Sequence, residues 1–395
     1  MKSPRVIELT EYDPNSLPSK ELSWEEGEII YKNYRSLIDI QFPSPKTSNQ
    51  WRLKSQGYVG YIPIISDLAI LMKPKVKLSN LFRMWEWAYR LKFEFLKGLM
   101  ECQSIQEYFS LLARELSLRI LERTRKGLYR AYVEAHNRLM YVRGRVDSRN
   151  ALRISQDLSL ICCYEDHTPN IQDNQILAWT LRKIAQSGFC SEKVLSSVRQ
   201  ASRTIQGSVA LIPFNSASCV SRDYNRLNQD YEELHTLCRF FLDQSGPSHN
   251  VGHQIMIPFI VNMARLFELF VAEWLKANPP LGFVARPKES LKVGENEALR
   301  FEIDIVLYDA LTDKPVCVID TKYKRSSRPE QGDIFQIVTY AVATGTHDAI
   351  LVYPAPLDEP LDKTIGDIRV RSLTFSLDGD LDDAGHLFNR MISDK

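Results

Sequence analysis

Two carboxylates and an ammonium interrupt runs of β-branched apolar residues in which packing alone asks for no charge. Phe301-Glu302-Ile303-Asp304-Ile305-Val306-Leu307 reads as one strand, and Val316-Cys317-Val318-Ile319-Asp320-Thr321-Lys322 as the next. A divalent cation such as Mg²⁺ or Mn²⁺ takes a few carboxylate oxygens and keeps several waters, so Asp304 and Asp320 can fix one and leave room for a phosphate. Such an ion polarises a phosphoryl oxygen and acidifies a bound water, while Lys322 is suited to stabilise the charge that builds on the phosphate. Metal-assisted phosphodiester hydrolysis is the chemistry these residue types suit.

The elements that must position them can be read outward from this pair. Side chains alternate across a strand, so Asp320 and Lys322 point to one face and Thr321 points away. Tyr308 to Pro315 supplies the turn of a hairpin that would set the two aspartates side by side. Asp304 faces the site if Ile303, Ile305 and Leu307 pack on the opposite side; Glu302 shares its face and is a rival ligand. Upstream, Phe259 to Leu275 is a long apolar pattern of helical type that carries Glu268. A carboxylate between Phe267 and Leu269 is costly to bury without a partner or a metal, which makes Glu268 a further ligand or a water-orienting base. Downstream, Asp333 to Ala341 is helical and places Gln336 and Tyr340 on one face, with Gln336 a supporting contact to phosphate or to Lys322.

The order helix with Glu268, strand with Asp304, strand with Asp320-Thr321-Lys322, helix with Gln336 and Tyr340 resembles the core of RecB-like nucleases of the PD-(D/E)xK superfamily. The residue before the first acid is Ile303 rather than proline. Further segments are similar to the McrC family, the nuclease subunits of McrBC-type restriction systems. They are Gln56-Gly57-Tyr58-Val59-Gly60-Tyr61-Ile62, Leu68 to Val76, Leu81-Phe82-Arg83-Met84, the turn around Arg143-Gly144-Arg145, and Met263 to Glu268. The resemblance implies a Mg²⁺-dependent endonuclease that cuts double-stranded, methylated DNA. It implies docking through the amino-terminal region on an McrB-like AAA+ GTPase ring, whose hydrolysis it stimulates, and pairing of nuclease domains for double-strand cutting. Alternatives are a stand-alone RecB-like repair nuclease and an inert scaffold that only regulates the GTPase. The chain has no phosphate-binding loop of the Gly-x-x-x-x-Gly-Lys-Ser/Thr type, so nucleotide hydrolysis is expected on the partner.

The expected fold class is α+β and multidomain: a β-rich partner-docking domain over 1–100, a helical middle region over 101–245, and an α/β nuclease core with a mixed sheet over 246–395. Ile105–Arg123, Gly127–Val142, Asn174–Ser187, Ser191–Arg203 and Asp223–Asp243 carry helical apolar spacing, and Gln244 to Asn250 reads as a linker. With 395 residues, 44% hydrophobic and 25% charged, the chain can bury substantial cores. Its apolar runs fall short of the roughly 18 residues of a membrane span. No apolar core of signal-peptide length follows Met1-Lys2-Ser3-Pro4-Arg5, and a cytoplasmic protein is expected. Seven scattered cysteines without a Cys-x-x-Cys pair point to reduced structural thiols, and no histidine spacing demands a metal.

The net charge of +1 hides a local excess. Arg119 to Arg153 holds ten arginines and lysines against three acids, which marks Arg143 and Arg145 as candidate DNA contacts. Lys324, Arg325 and Arg328 follow the catalytic strand, where the backbone of the scissile strand would pass.

Overall fold

The computed structural model describes residues 5–65, 67–91, 102–146, 159–246, 249–251, 254–293, 299–324 and 326–394. Arg325, His253, Asp147, Arg149 and Arg153 lie outside the described residues. The chain forms two compact units, one of Met1–Tyr108 with Gly246–Lys395 and one of Phe109–Ser245. The amino-terminal and carboxy-terminal regions, drawn apart in the sequence as 1–100 and 246–395, therefore contribute to one unit.

The first unit begins with β1 (Arg5–Thr10), β2 (Pro14–Pro18), α1 (Trp24–Tyr34), β3 (Ile38–Gln41), β4 (Gln50–Ser55), β5 (Tyr58–Ile65), β6 (Leu68–Lys73) and α2 (Leu78–Tyr89). Helix α1 starts at a capping box: Ser23 Oγ accepts from Glu26 N at 3.2 Å, and Glu26 accepts from Ser23 N at 2.7 Å. Strands β2, β4 and β3 form one small sheet. Ile30, Tyr34, Trp51, Leu53, Ile62 and Ile70 are buried in the core that α1 shares with these strands.

The second unit is less helical than its spacing suggests. After α3 (Ile105–Lys126), the segment expected as a helix over Gly127–Val142 is the strand β7 (Ala131–Leu139), which pairs antiparallel with β9 (Leu160–Thr168), itself paired with the short β8 (Arg145–Val146). The partly buried residues of β7 recur at every fourth position, Ala131, Ala135 and Leu139, which imitates a helical stripe. Pairing with β9 overrides that spacing, since Tyr132 and Val133 favour extended backbone. Helices α4 (Gln172–Gln186), α5 (Glu192–Gln206) and α6 (Tyr231–Asp243) complete the unit.

The chain returns to the first unit through β10 (His249–Val251), β11 (Gln254–Met256), β12 (Phe259–Asn262) and α7 (Met263–Ala277). The first four residues of the pattern expected as one helix are thus a strand: β12 pairs antiparallel with β5, closing a sheet in the order β1-β6-β5-β12. Asn262 then caps α7, its side chain accepting from Arg265 N at 3.1 Å. Strands β13 (Phe283–Val293), β14 (Leu299–Asp309) and β15 (Pro315–Thr321) follow, then α8 (Gln331–Thr344), β16 (Asp348–Tyr353), β17 (Asp362–Ile365), β18 (Ile368–Thr374) and α9 (Leu381–Ser393).

These strands form a six-stranded mixed sheet, β13-β14-β15-β16-β18-β17. The β14–β15 turn is built by Asp309, whose Oδ1 accepts from Leu311 N, Thr312 N and Thr312 Oγ1 at 2.8–3.0 Å. Helix α8 is the crossover between the parallel strands β15 and β16, and it stops at Gly345, which takes the left-handed conformation at φ 70°. The sheet therefore changes from antiparallel to parallel at β15, and the carboxyl end of that strand leads into the crossover rather than a hairpin turn. Ile303, Val306, Val318, Ile337, Ala341, Ala349 and Leu351 make the core between sheet and α8.

Candidate active site

Asp304 and Asp320 meet where the β14–β15 ladder opens. Pairing runs through Ile305 opposite Ile319 and stops there; one further rung in the same register would set Asp304 against Asp320. In place of that rung the Asp304 carboxylate crosses to β15, and its Oδ2 accepts from Thr321 N and Thr321 Oγ1, both at 2.8 Å. Thr321, expected to point away, instead fixes Asp304, because the opened ladder leaves its N–H for a side chain to satisfy. Strand β14 also loses regular alternation here. Ile303 packs in the same core as Val306, with Phe301 and Tyr308 against it, so Ile303, Ile305 and Leu307 do not share one side as expected.

Asp320 is almost fully buried, and its Oδ2 faces the ammonium of Lys322. Lys322 Nζ lies 2.7 Å from that oxygen as an ion-pair partner. Burial, and then the charge of Asp304, push the Asp320 carboxyl up to about 6. Burial pulls the Lys322 ammonium down, but the adjacent Asp320 outweighs it and the net shift is upward. Lys322 Nζ donates to Gln336 Oε1 at 2.9 Å, and Gln336 Nε2 donates to Tyr340 OH at 2.8 Å, one turn further along α8. Asp320, Lys322, Gln336 and Tyr340 thus form one chain of polar contacts from sheet to helix.

Glu268 approaches from α7, which packs on β13, β14 and β15. Burial first, and then Asp304, raise its carboxyl above the ordinary value, while Lys288 Nζ, 3.7 Å away, opposes the shift. Glu302, the rival ligand, is highly exposed and pairs with Arg300 at 3.3 Å. Reasoning from the sequence missed Lys288 and Asp333. Asp333 is a buried acid in the first turn of α8, 2.6 Å from Lys324 and 3.7 Å from Lys322. An acid in a first helical turn is ordinary dipole complementation, so nothing in the sequence singled it out.

Of the candidate DNA contacts, Lys324 is committed to Asp333 and to Glu330 at 2.9 Å, and Arg328 is exposed. Arg143 pairs with Asp166 at 2.7 Å and stacks on the Tyr164 ring, while Arg145 is exposed on β8. Nearby, Arg119 pairs with Glu115 and Glu233, and Lys126 with Glu122, which spends part of the basic excess locally.

Among the described residues, no three histidine, cysteine, aspartate or glutamate side chains are gathered to hold a metal ion. The donors still suit Mg²⁺ chemically. Glu268, Asp304 and Asp320 offer hard oxygen donors, and the charge of Asp304 acts on both of the other two.

A family model described as "McrBC 5-methylcytosine restriction system component" matches residues 53–354. The chain belongs to this family. Among solved structures, this McrBC-family chain is similar to one in a refined half-complex from a tetradecameric assembly of Thermococcus gammatolerans McrB AAA+ hexamers with bound McrC. Identity is 16%, the match covers 98% of this chain and 99% of that one, and the TM-score is 0.54, so the likeness is one of fold. A second, from the cryo-EM structure of the Thermococcus gammatolerans McrBC complex, is 18% identical over 69% of this chain and 87% of that one at a TM-score of 0.41. No curated protein matches. Among the described residues, no helix is long and apolar enough to cross a membrane.

Proposed function

We propose that this McrBC-family chain is a McrC-type nuclease subunit with a PD-(D/E)xK core, which hydrolyses phosphodiester bonds of double-stranded, methylated DNA in the cytoplasm. The observation that carries the reading is the opened rung at which Asp304 and Asp320 lie side by side, with Lys322 held between Asp320 and Gln336. Family membership supports it, as does likeness of fold to a chain from a structure described as McrB AAA+ hexamers with bound McrC. The partner is then an McrB-like AAA+ GTPase ring whose hydrolysis this chain stimulates, and two nuclease domains pair to cut both strands.

Asp304, Asp320 and Glu268 would hold Mg²⁺ or Mn²⁺, which when bound supplies an acidified water and a polarised phosphoryl oxygen. Thr321 keeps Asp304 turned toward Asp320. Gln336 and Asp320 restrict the Lys322 ammonium to the face where negative charge builds on the phosphate, so little reorganisation is left for the reaction itself. Glu268 serves either as the third of these ligands or, left free of the ion, as the base that orients the attacking water.

The test is Asp320→Ala and Lys322→Ala in the assembled complex. Cleavage of methylated DNA should be lost while ring binding and stimulated GTP hydrolysis persist; retained cleavage would sink the assignment. Wild-type protein that stimulates GTP hydrolysis but never cuts would identify an inert regulatory scaffold. Cutting by the purified chain with Mg²⁺ alone would identify a RecB-like repair nuclease.

A further inference from the structure

The rung that carries Asp304 and Asp320 is irregular on the other side of β14 as well. In the β13–β14 ladder, Pro287 pairs with Ile305 and Glu289 with Ile303, and the pair between them, Lys288 with Asp304, is missing. Lys288 has φ 55°, a left-handed backbone that a non-glycine residue adopts at some energetic cost and that concentrates at functional sites. Its neighbour Pro287 offers no N–H to the ladder, which an edge strand tolerates. Three charged residues of neighbouring strands, Lys288, Asp304 and Asp320, thus fall on one opened rung. The Lys288 side chain, half exposed, reaches the carboxylate of α7, with Nζ 3.7 Å from Glu268 Oε1.

Regular strand backbone at Lys288 would have kept the β13–β14 ladder intact. The left-handed turn breaks it at the one position opposite Asp304, and among the described residues the acid that the Lys288 ammonium then pairs with is Glu268. Lys322, partly buried just past the end of β15, and Lys288, half exposed on the edge strand β13, thus each pair with one of the carboxylates, Asp320 and Glu268. We propose that Lys288 is a positioning residue whose ammonium holds Glu268 beside Asp304 in the metal-free protein and gives way when a divalent cation takes the carboxylates. This rests on the nuclease reading of the same site and deepens it. A removable internal cation steadies the Glu268 carboxylate without a metal, and it sets the affinity with which one enters.

Mg²⁺ binding to the full-length chain without DNA, followed by titration calorimetry, tests this. In Lys288→Asn, which tolerates the left-handed backbone but has no charge, Mg²⁺ should bind about two- to fivefold tighter, the range an exposed ion pair allows. Lys288→Gly should behave alike, and its unfolding temperature without Mg²⁺ should not fall, because backbone strain is relieved. In a Glu268→Gln background, Lys288→Asn should change Mg²⁺ affinity no further. Unchanged or weaker Mg²⁺ binding in both Lys288 variants would overturn the proposal, as would an undiminished effect in the Glu268→Gln background. A wild-type chain that neither binds Mg²⁺ nor cuts DNA in its complex would instead count against the nuclease reading.

Discussion

Thr321 holds Asp304 twice, with its N–H and its hydroxyl both donating to the same Oδ2 at 2.8 Å. The two bonds replace the ladder rung that would have joined Asp304 to Asp320, so the side chain that opens the sheet is also the one that orients its carboxylate. On the proposed function, Thr321→Val should slow cleavage about 10- to 100-fold, the usual loss when an orienting partner of a metal ligand is removed. Thr321→Ser keeps the hydroxyl and should cut nearly as fast as wild type. Equal rates for Val and wild type, measured in the complex at saturating Mg²⁺, would show that the backbone bond suffices.

His235, fully buried in α6, is bonded on both ring nitrogens, with Tyr224 OH 2.9 Å from Nδ1 and the Asp173 carbonyl 3.0 Å from Nε2. A carbonyl only accepts, so Nε2 carries the proton and Nδ1 accepts from Tyr224. Burial lowers its pKa from 6.5 to about 4; the neighbouring Arg222 guanidinium acts in the same direction, against the Asp173 carbonyl and carboxylate. A depressed folded-state value means that the unfolded chain binds the proton first. The stability contributed by the neutral ring is complete above about 6.5 and is lost as the pH falls toward 4. Urea unfolding of the full chain should lose on the order of 2–3 kcal/mol across that window. His235→Gln should be less stable at pH 7.5 but have a flatter acid limb, and an equally steep limb would refute the assignment.

Arg371 is nearly fully buried and grips Asp348 through two nitrogens, while donating to the carbonyls of Met391 and Asp394 at 3.0 and 2.9 Å. It thereby satisfies the last carbonyls of α9 and ties that helix to β16 and β18. Arg371→Leu strands Asp348 and those carbonyls, at a cost of about 2–3 kcal/mol once the part exposure of Asp348 is allowed for. Differential scanning calorimetry should register a lower midpoint, whereas a midpoint within error of wild type would mean that water replaces the guanidinium.

Gly60 lies in β5 at φ 136°, and a Cβ there would come within 2.1 Å of the Phe259 carbonyl oxygen on β12. Backbone cannot swing aside as a side chain can. Gly60→Ala should therefore force β12 from β5, destabilising the fold by more than about 1 kcal/mol and exposing amides of residues 259–262 to solvent exchange. Native-like protection of those amides in the variant would contradict this.

Local patterning sufficed for much of what is seen. The β-branched runs around Asp304 and Asp320, the Asp309 turn and the helix bearing Gln336 all follow from contacts within about ten residues, and each stands where its residue types place it. Family resemblance was legible for the same reason, since collinear short segments survive as patterns, and the match over residues 53–354 bears it out. What the sequence could not decide depends on which strand meets which. Phe259–Asn262 is apolar enough to begin a helix and became a strand because β5 offers an open edge. Ala131, Ala135 and Leu139 repeat as a helix would, and only pairing with β9 made them strand. The opened rung of Lys288, Asp304 and Asp320 belongs to the same class. Residues separated by 16 positions or more were set on one line by the register of three strands, and register is a property of the assembled sheet.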